Sequence, residues 1–229
     1  MKLVLFDIDG TILWTDGAGR RSMEAALVSV YGVPGDPTYR YDGKTDRQIA
    51  REQLRAAGLS DRDIDARLPE LLDTYLVHLG EALARDPEAA RLCTGIELLL
   101  DAVEARDDTV LGLLTGNVER GAAHKLQAVG IDFTRFRVNA FGSDHEHRPE
   151  LPRVAQQRAR TTLGLDLPGD RIVIIGDTPA DIQCGRPIGA RAIGVATGRY
   201  NVDDLAAHAP HAVFADLGDT ERVLEAMLS

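Results

Sequence analysis

The sequence predicts an α/β protein: a doubly wound, mostly parallel sheet with a small all-helical domain inserted into it. Two observations carry this. Short apolar runs of strand length alternate with longer segments of helical periodicity, the pattern of a parallel sheet covered by helices on both faces. One stretch, from about residue 16 to residue 91, breaks that rhythm and offers helices alone. The chain therefore divides into a core of residues 1–15 and 92–229 and a helical cap of residues 16–91.

The predicted strands are Leu3–Phe6, Val110–Leu114, Val138–Phe141, Ile172–Ile175, Ala192–Val195 and Ala212–Phe214. Each is a compact apolar run, as expected of a strand buried on both faces. The helices between them have readable ends. Thr94-Gly-Ile-Glu97 has the spacing of a capping box ahead of Leu98, Leu99 and Ala102. The segment Val118–Val129 stops at Gly130, and Pro179 suits the first turn of a helix that ends near Gly189. In the insert, Gly19–Tyr31 sets Met23, Ala26, Leu27 and Val30 on one face. Thr45-Asp-Arg-Gln48 is a second capping box, for a helix ending near Gly58. Ser60 opens a stretch whose stripe is Ile64, Leu68, Leu71, Leu72, Tyr75, Leu76 and Leu79, and Pro69 is expected to split it in two.

The chain has 229 residues, 44% of them hydrophobic and 27% charged, with a net charge of -10. That balance argues against general binding to nucleic acid or to an anionic membrane, both of which need basic surface. No segment approaches the roughly 20 apolar residues of a membrane helix. The opening MKLVLFDIDG turns acidic too soon for a signal peptide. Cys93 and Cys184 lack any metal-ligand spacing and read as buried free thiols. These features together lead us to expect a cytoplasmic protein.

In an open α/β sheet, ligands lie outside the carboxyl ends of the strands. Three of those ends are polar here. The first strand runs into Asp7, Asp9, Gly10 and Thr11; the second into Thr115, Gly116 and Asn117; the fourth into Gly176, Asp177, Thr178 and Asp181. Extended geometry past Phe6 would turn Asp7 and Asp9 to one side. With Asp177 added, such an anionic cluster calls for a cation, and hard oxygen ligands suit Mg²⁺.

These motifs, in this order and each behind a strand, resemble those of the haloacid dehalogenase superfamily, most of whose members are Mg²⁺-dependent phosphatases. Asp7-Ile-Asp9-Gly-Thr matches the first motif, Thr115 the second and Gly176-Asp177-Thr178-Pro-Ala-Asp181 the fourth. The resemblance implies a phosphatase acting on a small phosphorylated metabolite, phosphoglycolate being the obvious guess. By the same resemblance Asp7 is the nucleophile that becomes an aspartyl-phosphate. Mg²⁺ is then held by Asp7, the Asp9 backbone carbonyl and Asp177, with Asp181 binding or orienting the metal's waters. The Asp9 side chain is the acid and base. Thr115, Gly116 and Asn117 bind the phosphoryl group, and the helical insert is a cap that excludes large substrates.

The third motif departs from the family pattern of a lysine followed by proline. The segment reads Asp144-His-Glu-His-Arg148-Pro149, and the only lysines in the chain are Lys2, Lys44 and Lys125. Arg148 is the expected replacement, with Arg153 in reserve. His145 and His147 could suggest a transition-metal site, but their spacing matches no helical ligand pattern. Arg20 and Lys44 are the cap charges expected to meet the far end of the substrate. Asp9 argues against a dehalogenase and, despite Lys44, against a phosphonate hydrolase. A phosphosugar mutase keeps both aspartates and stays open, as does oligomeric state. A catalytically silent binding module is the non-enzymatic alternative.

Overall fold

The computed structural model describes residues 1–229. The chain runs β1 (Lys2–Phe6), β2 (Leu13–Trp14), α1 (Ala18–Tyr31), α2 (Asp46–Ala56), α3 (Asp61–Arg85), β3 (Arg91–Leu92) and α4 (Ile96–Glu104). It continues β4 (Thr109–Thr115), α5 (Glu119–Ala128), β5 (Val138–Phe141), α6 (Leu151–Leu163), β6 (Ile172–Gly176) and α7 (Pro179–Cys184). It ends with β7 (Arg191–Val195), α8 (Val202–Ala206), β8 (Ala212–Phe214) and α9 (Thr220–Leu228).

The six apolar runs form one sheet in the order β5-β4-β1-β6-β7-β8, with every neighbouring pair parallel. From β1 the chain winds through β4 to β5 on one side, then returns to lay β6, β7 and β8 on the other. Strand order reverses at β1, which opens a crevice beyond its carboxyl end. Side chains alternate along β1 with period two. Val4 and Phe6 join a cluster with Leu99, Leu100 and Val103 of α4 and Val223 and Met227 of α9. Leu3 and Leu5 join a second cluster with Leu151, Ala155 and Ala159 of α6. The sheet is thus buried on both faces, which explains strands of almost unbroken Val, Ile and Leu.

Helices α1, α2 and α3 bury their apolar faces against one another. Their cluster includes Met23, Leu27, Ile49, Leu54, Leu71, Tyr75 and Leu79, and Val118 is its one buried member outside residues 18–83. The connections into and out of this insert pair as a short antiparallel ribbon, Leu13 with Leu92 and Trp14 with Arg91. Two residues per strand are too few to leave a periodic signal. No helix is long and apolar enough to cross a membrane.

Two local expectations are corrected. Thr94 does not cap α4. The cap position is Gly95, in the left-handed conformation (φ 82°) with no side-chain hydrogen bond, and the Thr94 carbonyl accepts from the Leu217 N–H at 3.2 Å. The backbone there is drawn to the Leu217 segment, where a Cβ on residue 95 would collide with the Leu217 carbonyl. Nor does Pro69 split its helix: α3 runs unbroken for 25 residues. Ile64, Leu68, Leu71, Tyr75 and Leu79, on both sides of Pro69, lie in one buried cluster while the ring itself is exposed. The Tyr31 hydroxyl donates to the Ile64 carbonyl at 2.7 Å, close to the Asp65 carbonyl that proline leaves without its usual donor. Packing of the stripe outweighs an interior proline's cost of about 3 kcal/mol.

Because the ring is exposed and the helix continuous, Pro69→Ala restores a backbone hydrogen bond without opening a cavity. It is expected to raise stability by about 1–3 kcal/mol, read as a higher urea midpoint at unchanged slope.

Candidate active site

The ladder of β1 continues one residue past the strand, where the Asp7 N–H donates to the Ile175 carbonyl at 2.9 Å. Period two then places Asp7 on the α6 side of the sheet, with Leu3 and Leu5. Arg148 approaches from that side, on the 3₁₀ turn Arg148–Glu150 that leads into α6. Its Nη2 lies 3.1 Å from Asp7 Oδ1 and also pairs with Asp181 Oδ1. Asp181 is held from behind by a capping box at the start of α7, its Oδ2 accepting from the Thr178 N–H (3.0 Å) and hydroxyl (2.6 Å). The sequence left Arg148 and Arg153 as alternatives for this position. Arg148 is 4% exposed and beside Asp7, whereas Arg153 is exposed on α6.

Asp177 completes the group. One oxygen each from Asp7, Asp177 and Asp181 lie within 4.8 Å of one another, and all three residues are buried. Asp177 is tightly fenced, since a Cβ on Gly10 or on Gly198 would run into its carboxylate. Gly10 also has φ +80°, so a side chain there would be strained even with room to spare.

Three carboxylates share one guanidinium, two negative charges too many when all are ionised. Burial pushes Asp7 up to about 6, against the pull of Arg148 and reinforced by Asp181 and Asp9. Burial, then Asp181 and Asp7, push Asp177 well above the usual carboxylate range. An oxygen-only donor set with a surplus of two negative charges fits a hard divalent cation.

Asp9 does not share this arrangement. Its carboxylate is held by Lys125, whose Nζ lies 2.7 Å from both oxygens, and by Asn117 Nδ2 at 2.8 Å. Lys125 also donates to Asn117 Oδ1 at 2.7 Å, and Asn117 Nδ2 lies 2.8 Å from the Thr115 hydroxyl. Asp9, Thr115, Asn117 and Lys125 are thus one bonded group. Lys125 has no evident role in the sequence alone, although its position carries a signal. It falls on the stripe of α5 that holds Gly121, Ala122 and Leu126, and it is only 4% exposed. A lysine at a core position of an amphipathic helix calls for a buried partner.

The insert closes over this edge through its backbone. The Asp46 N–H donates to the Gly116 carbonyl at 2.8 Å, and Asp46 Oδ2 accepts from the Val118 N–H at 2.8 Å. A Cβ on Gly116 would strike the Lys44 carbonyl, so close approach requires glycine there. Arg51 of α2 bonds both oxygens of Glu146 at 2.8 Å, and the Thr45 hydroxyl donates to the Glu146 carbonyl at 2.6 Å. Glu146 is thereby engaged, as is Asp144 by Arg158 at 2.6 and 2.7 Å, so neither carboxylate is free to join His145 and His147 as a metal ligand.

The cavity measures ≈ 190 Å³ and is lined by Asp7, Asp9, Thr115, Asn117, Lys125 and Arg148 from the core. Trp14, Arg20, Tyr41, Lys44, Asp46 and Tyr75 line it from the insert and its neck. Arg20 and Lys44 both lie on this wall, each already paired. Arg20 bonds Glu24 at 2.8 Å and the carbonyls of Asp36, Pro37 and Tyr39. Lys44 bonds Glu52 at 2.7 Å and the Tyr39 hydroxyl at 2.8 Å. Cys93 and Cys184 are buried free thiols.

Residues 149–220 match the family model described as HAD-hydrolase-like. The chain is 29% identical over 210 residues to the N-acetylmuramic acid 6-phosphate phosphatase of Pseudomonas aeruginosa, covering 91% of this chain and 87% of that protein. Among solved structures it resembles a hydrolase from Pseudomonas syringae (TM-score 0.73, 20% identity, 98% of each chain). It also resembles a β-phosphoglucomutase from Clostridium difficile (TM-score 0.74, 19% identity, 100% of this chain and 97% of that one). At such identities the two structures share the fold.

The carboxylates imply a pH dependence of stability. Asp7 and Asp46 are both raised to about 6 by burial, and burial raises Asp177 as well. At these three positions the folded chain therefore holds more protons than the unfolded chain between about pH 4 and 6. In chelator, the contribution of these three groups to stability should be greatest below that window and fall as pH rises through it, which the variants Asp7→Asn and Asp46→Asn should remove in part. A saturating divalent cation, competing with protons for Asp7 and Asp177, should flatten the profile. Thermal melts across this range, with and without the cation, check both statements.

Proposed function

We propose that this chain, a hydrolase of the haloacid dehalogenase-like family, hydrolyses a small phosphomonoester by way of an aspartyl-phosphate at Asp7, with Mg²⁺ as its metal. The observation that carries this reading is the separation of two carboxylates in one cavity. Asp7 lies buried against Arg148 and the carboxylate cluster, while Asp9 lines the same cavity paired with Lys125 and Asn117. Different environments give two carboxylates different tasks. The 29%-identical relative named as a phosphatase supports hydrolysis.

Asp7, Asp177 and the Asp9 backbone carbonyl would hold Mg²⁺, with Asp181 orienting its waters. Bound there, Mg²⁺ supplies the positive charge that lets an anionic carboxylate approach an anionic phosphate. The remaining work belongs to side chains of the chain. An Asp7 oxygen attacks phosphorus, and the bond to the leaving oxygen breaks. Arg148 offsets charge on Asp7 and on the phosphoryl oxygens. The Thr115 hydroxyl, which accepts from Asn117, keeps its own proton to donate to a phosphoryl oxygen, beside the Gly116 and Asn117 backbone N–H groups. Asp9 gives a proton to the leaving alkoxide. It then takes one from the water that attacks phosphorus and frees Asp7. Lys125 acts through Asp9, fixing the orientation of its carboxylate. Residues 16–91 act as a cap over the cavity, so a small metabolite is the substrate rather than a macromolecule.

Asp7→Asn keeps the shape and removes the attacking charge. Hydrolysis of an aryl phosphate should fall by roughly four orders of magnitude or more with the circular dichroism spectrum unchanged. Retention of near wild-type turnover would refute the role of Asp7. Product analysis with a sugar phosphate separates the mutase alternative, which would move the phosphate within the sugar and release none.

Asp9→Asn should slow an alkyl phosphate far more than an activated aryl phosphate, whose leaving group needs no proton. Lys125→Met keeps the length and loses the charge. It should show the same bias at roughly tenfold to a hundredfold, and little further loss when combined with Asp9→Asn. Equal slowing of both esters by Lys125→Met would make Lys125 a fold residue instead.

A further inference from the structure

The cavity wall contributed by the insert has a charge pattern that restricts the leaving alcohol. Its two cations are neutralised by partners of their own: Arg20 by Glu24 and Lys44 by Glu52, at 2.8 and 2.7 Å. Asp42, also on the wall, is matched by Arg40 at 2.8 Å. Asp46 has no such match. It is 9% exposed and lines the cavity, and one oxygen accepts from the Val118 N–H. Its other oxygen takes no hydrogen bond from the protein, and no cation lies within ion-pair distance. Tyr75, 1% exposed, lines the same wall and has no hydrogen-bond partner for its hydroxyl. One anionic acceptor and one hydroxyl are therefore left unpaired where the non-phosphate end of a substrate must sit.

From this we infer that the natural substrate is a short phosphomonoester whose leaving alcohol carries further hydroxyl or amino groups and no carboxylate, and that Asp46 and Tyr75 select it. This rests on the phosphatase reading above. A hydroxyl or ammonium group donates to the free Asp46 oxygen, and Tyr75 supplies or accepts a second bond. A carboxylate would be desolvated beside Asp46 with no uncommitted cation to receive it. The cavity of ≈ 190 Å³ holds a phosphate and a chain of a few atoms, well under the roughly 300–1,000 Å³ of pockets for larger ligands. The phosphoglycolate expected from resemblance fits in size and fails in charge.

The test compares three small alkyl esters of one phosphate: glycerol 3-phosphate, phosphoethanolamine and 2-phosphoglycolate, each assayed for phosphate release with Mg²⁺. Glycerol 3-phosphate and phosphoethanolamine should exceed 2-phosphoglycolate in kcat/KM by about tenfold or more. Asp46→Asn, which can still accept from Val118, should shrink both ratios, phosphoethanolamine losing most. Tyr75→Phe should lower the glycerol 3-phosphate ratio and leaves the Asp46 contact to Val118 in place. Equal or better hydrolysis of 2-phosphoglycolate by the unmodified protein overturns the inference, and so do ratios unchanged in both variants. Turnover of an aryl phosphate with none of the three esters overturns it alone. No turnover of any ester, the aryl phosphate included, overturns the phosphatase reading itself.

Discussion

Three carboxylates are held out of water at the carboxyl edge of the sheet with a single guanidinium among them, and the surrounding structure answers that constraint. A buried carboxylate without compensation is among the most costly groups a fold can hold. Arg148 meets the need twice, contacting Asp7 and Asp181 with one nitrogen. Its own position depends on α6, whose apolar face packs on the same side of the sheet as Leu3 and Leu5. Asp181 is secured from the other direction by Thr178. Gly10 and Gly198 are glycines because Asp177 leaves no room for a side chain. What charge remains uncompensated is what a divalent cation would satisfy.

The same logic sorts the two aspartates that follow β1. Continued alternation would have turned Asp7 and Asp9 to one side. The ladder instead persists only to Asp7 and then turns at Gly10. Asp7 stays with Arg148, and Asp9 meets Lys125, which comes from α5. Two like charges close in sequence are each given their own cation, one from α5 and one from the turn ahead of α6. Each carboxylate is thereby oriented independently, which a mechanism needs if one attacks while the other moves protons.

The sheet was legible because its strands are buried on both faces. Six apolar runs gave six strands within a residue or two at each end. Asp7, Asp9, Thr115, Asn117, Asp177 and Asp181 were legible because strand ends converge on one edge. Arg148 was legible by chemical need, since the resemblance demanded a cation in that segment. Lys125 was missed because a lone lysine on a helix usually faces solvent, and only the stripe of Gly121, Ala122 and Leu126 marked it as inward. Asp46 was hidden for a different reason. Inside a helix-opening Thr-Asp-Arg-Gln sequence it reads as ordinary first-turn acid, and its burial exists only once the insert docks on Gly116 and Val118. The left-handed Gly95 and the unbroken α3 were likewise decided by distant packing, which local propensity does not encode.

The docking of the insert combines an apolar contact, Leu76 and Leu79 of α3 against Val118, Gly121 and Ala128 at α5, with a row of polar bonds. Of the buried residues in the insert's apolar cluster, Val118 alone comes from outside residues 18–83. The other bonds across the junction include the Asp46–Gly116 backbone bond, the Asp46 carboxylate on Val118, Thr45 on the Glu146 carbonyl and the Arg51–Glu146 pair. Each of these groups regains hydrogen bonds to water when the two parts separate, so little of the gross bond energy opposes opening. An apolar interface of the same extent would oppose it in proportion to area. The polar bonds thus fix where the two parts meet, and the apolar contact of α3 with α5 is what opposes their separation. In the docked arrangement one Asp46 oxygen is left without a protein donor. A substrate able to donate a hydrogen bond to that oxygen is better placed than water to hold the seam shut, because it alone also bridges to the core through its phosphate.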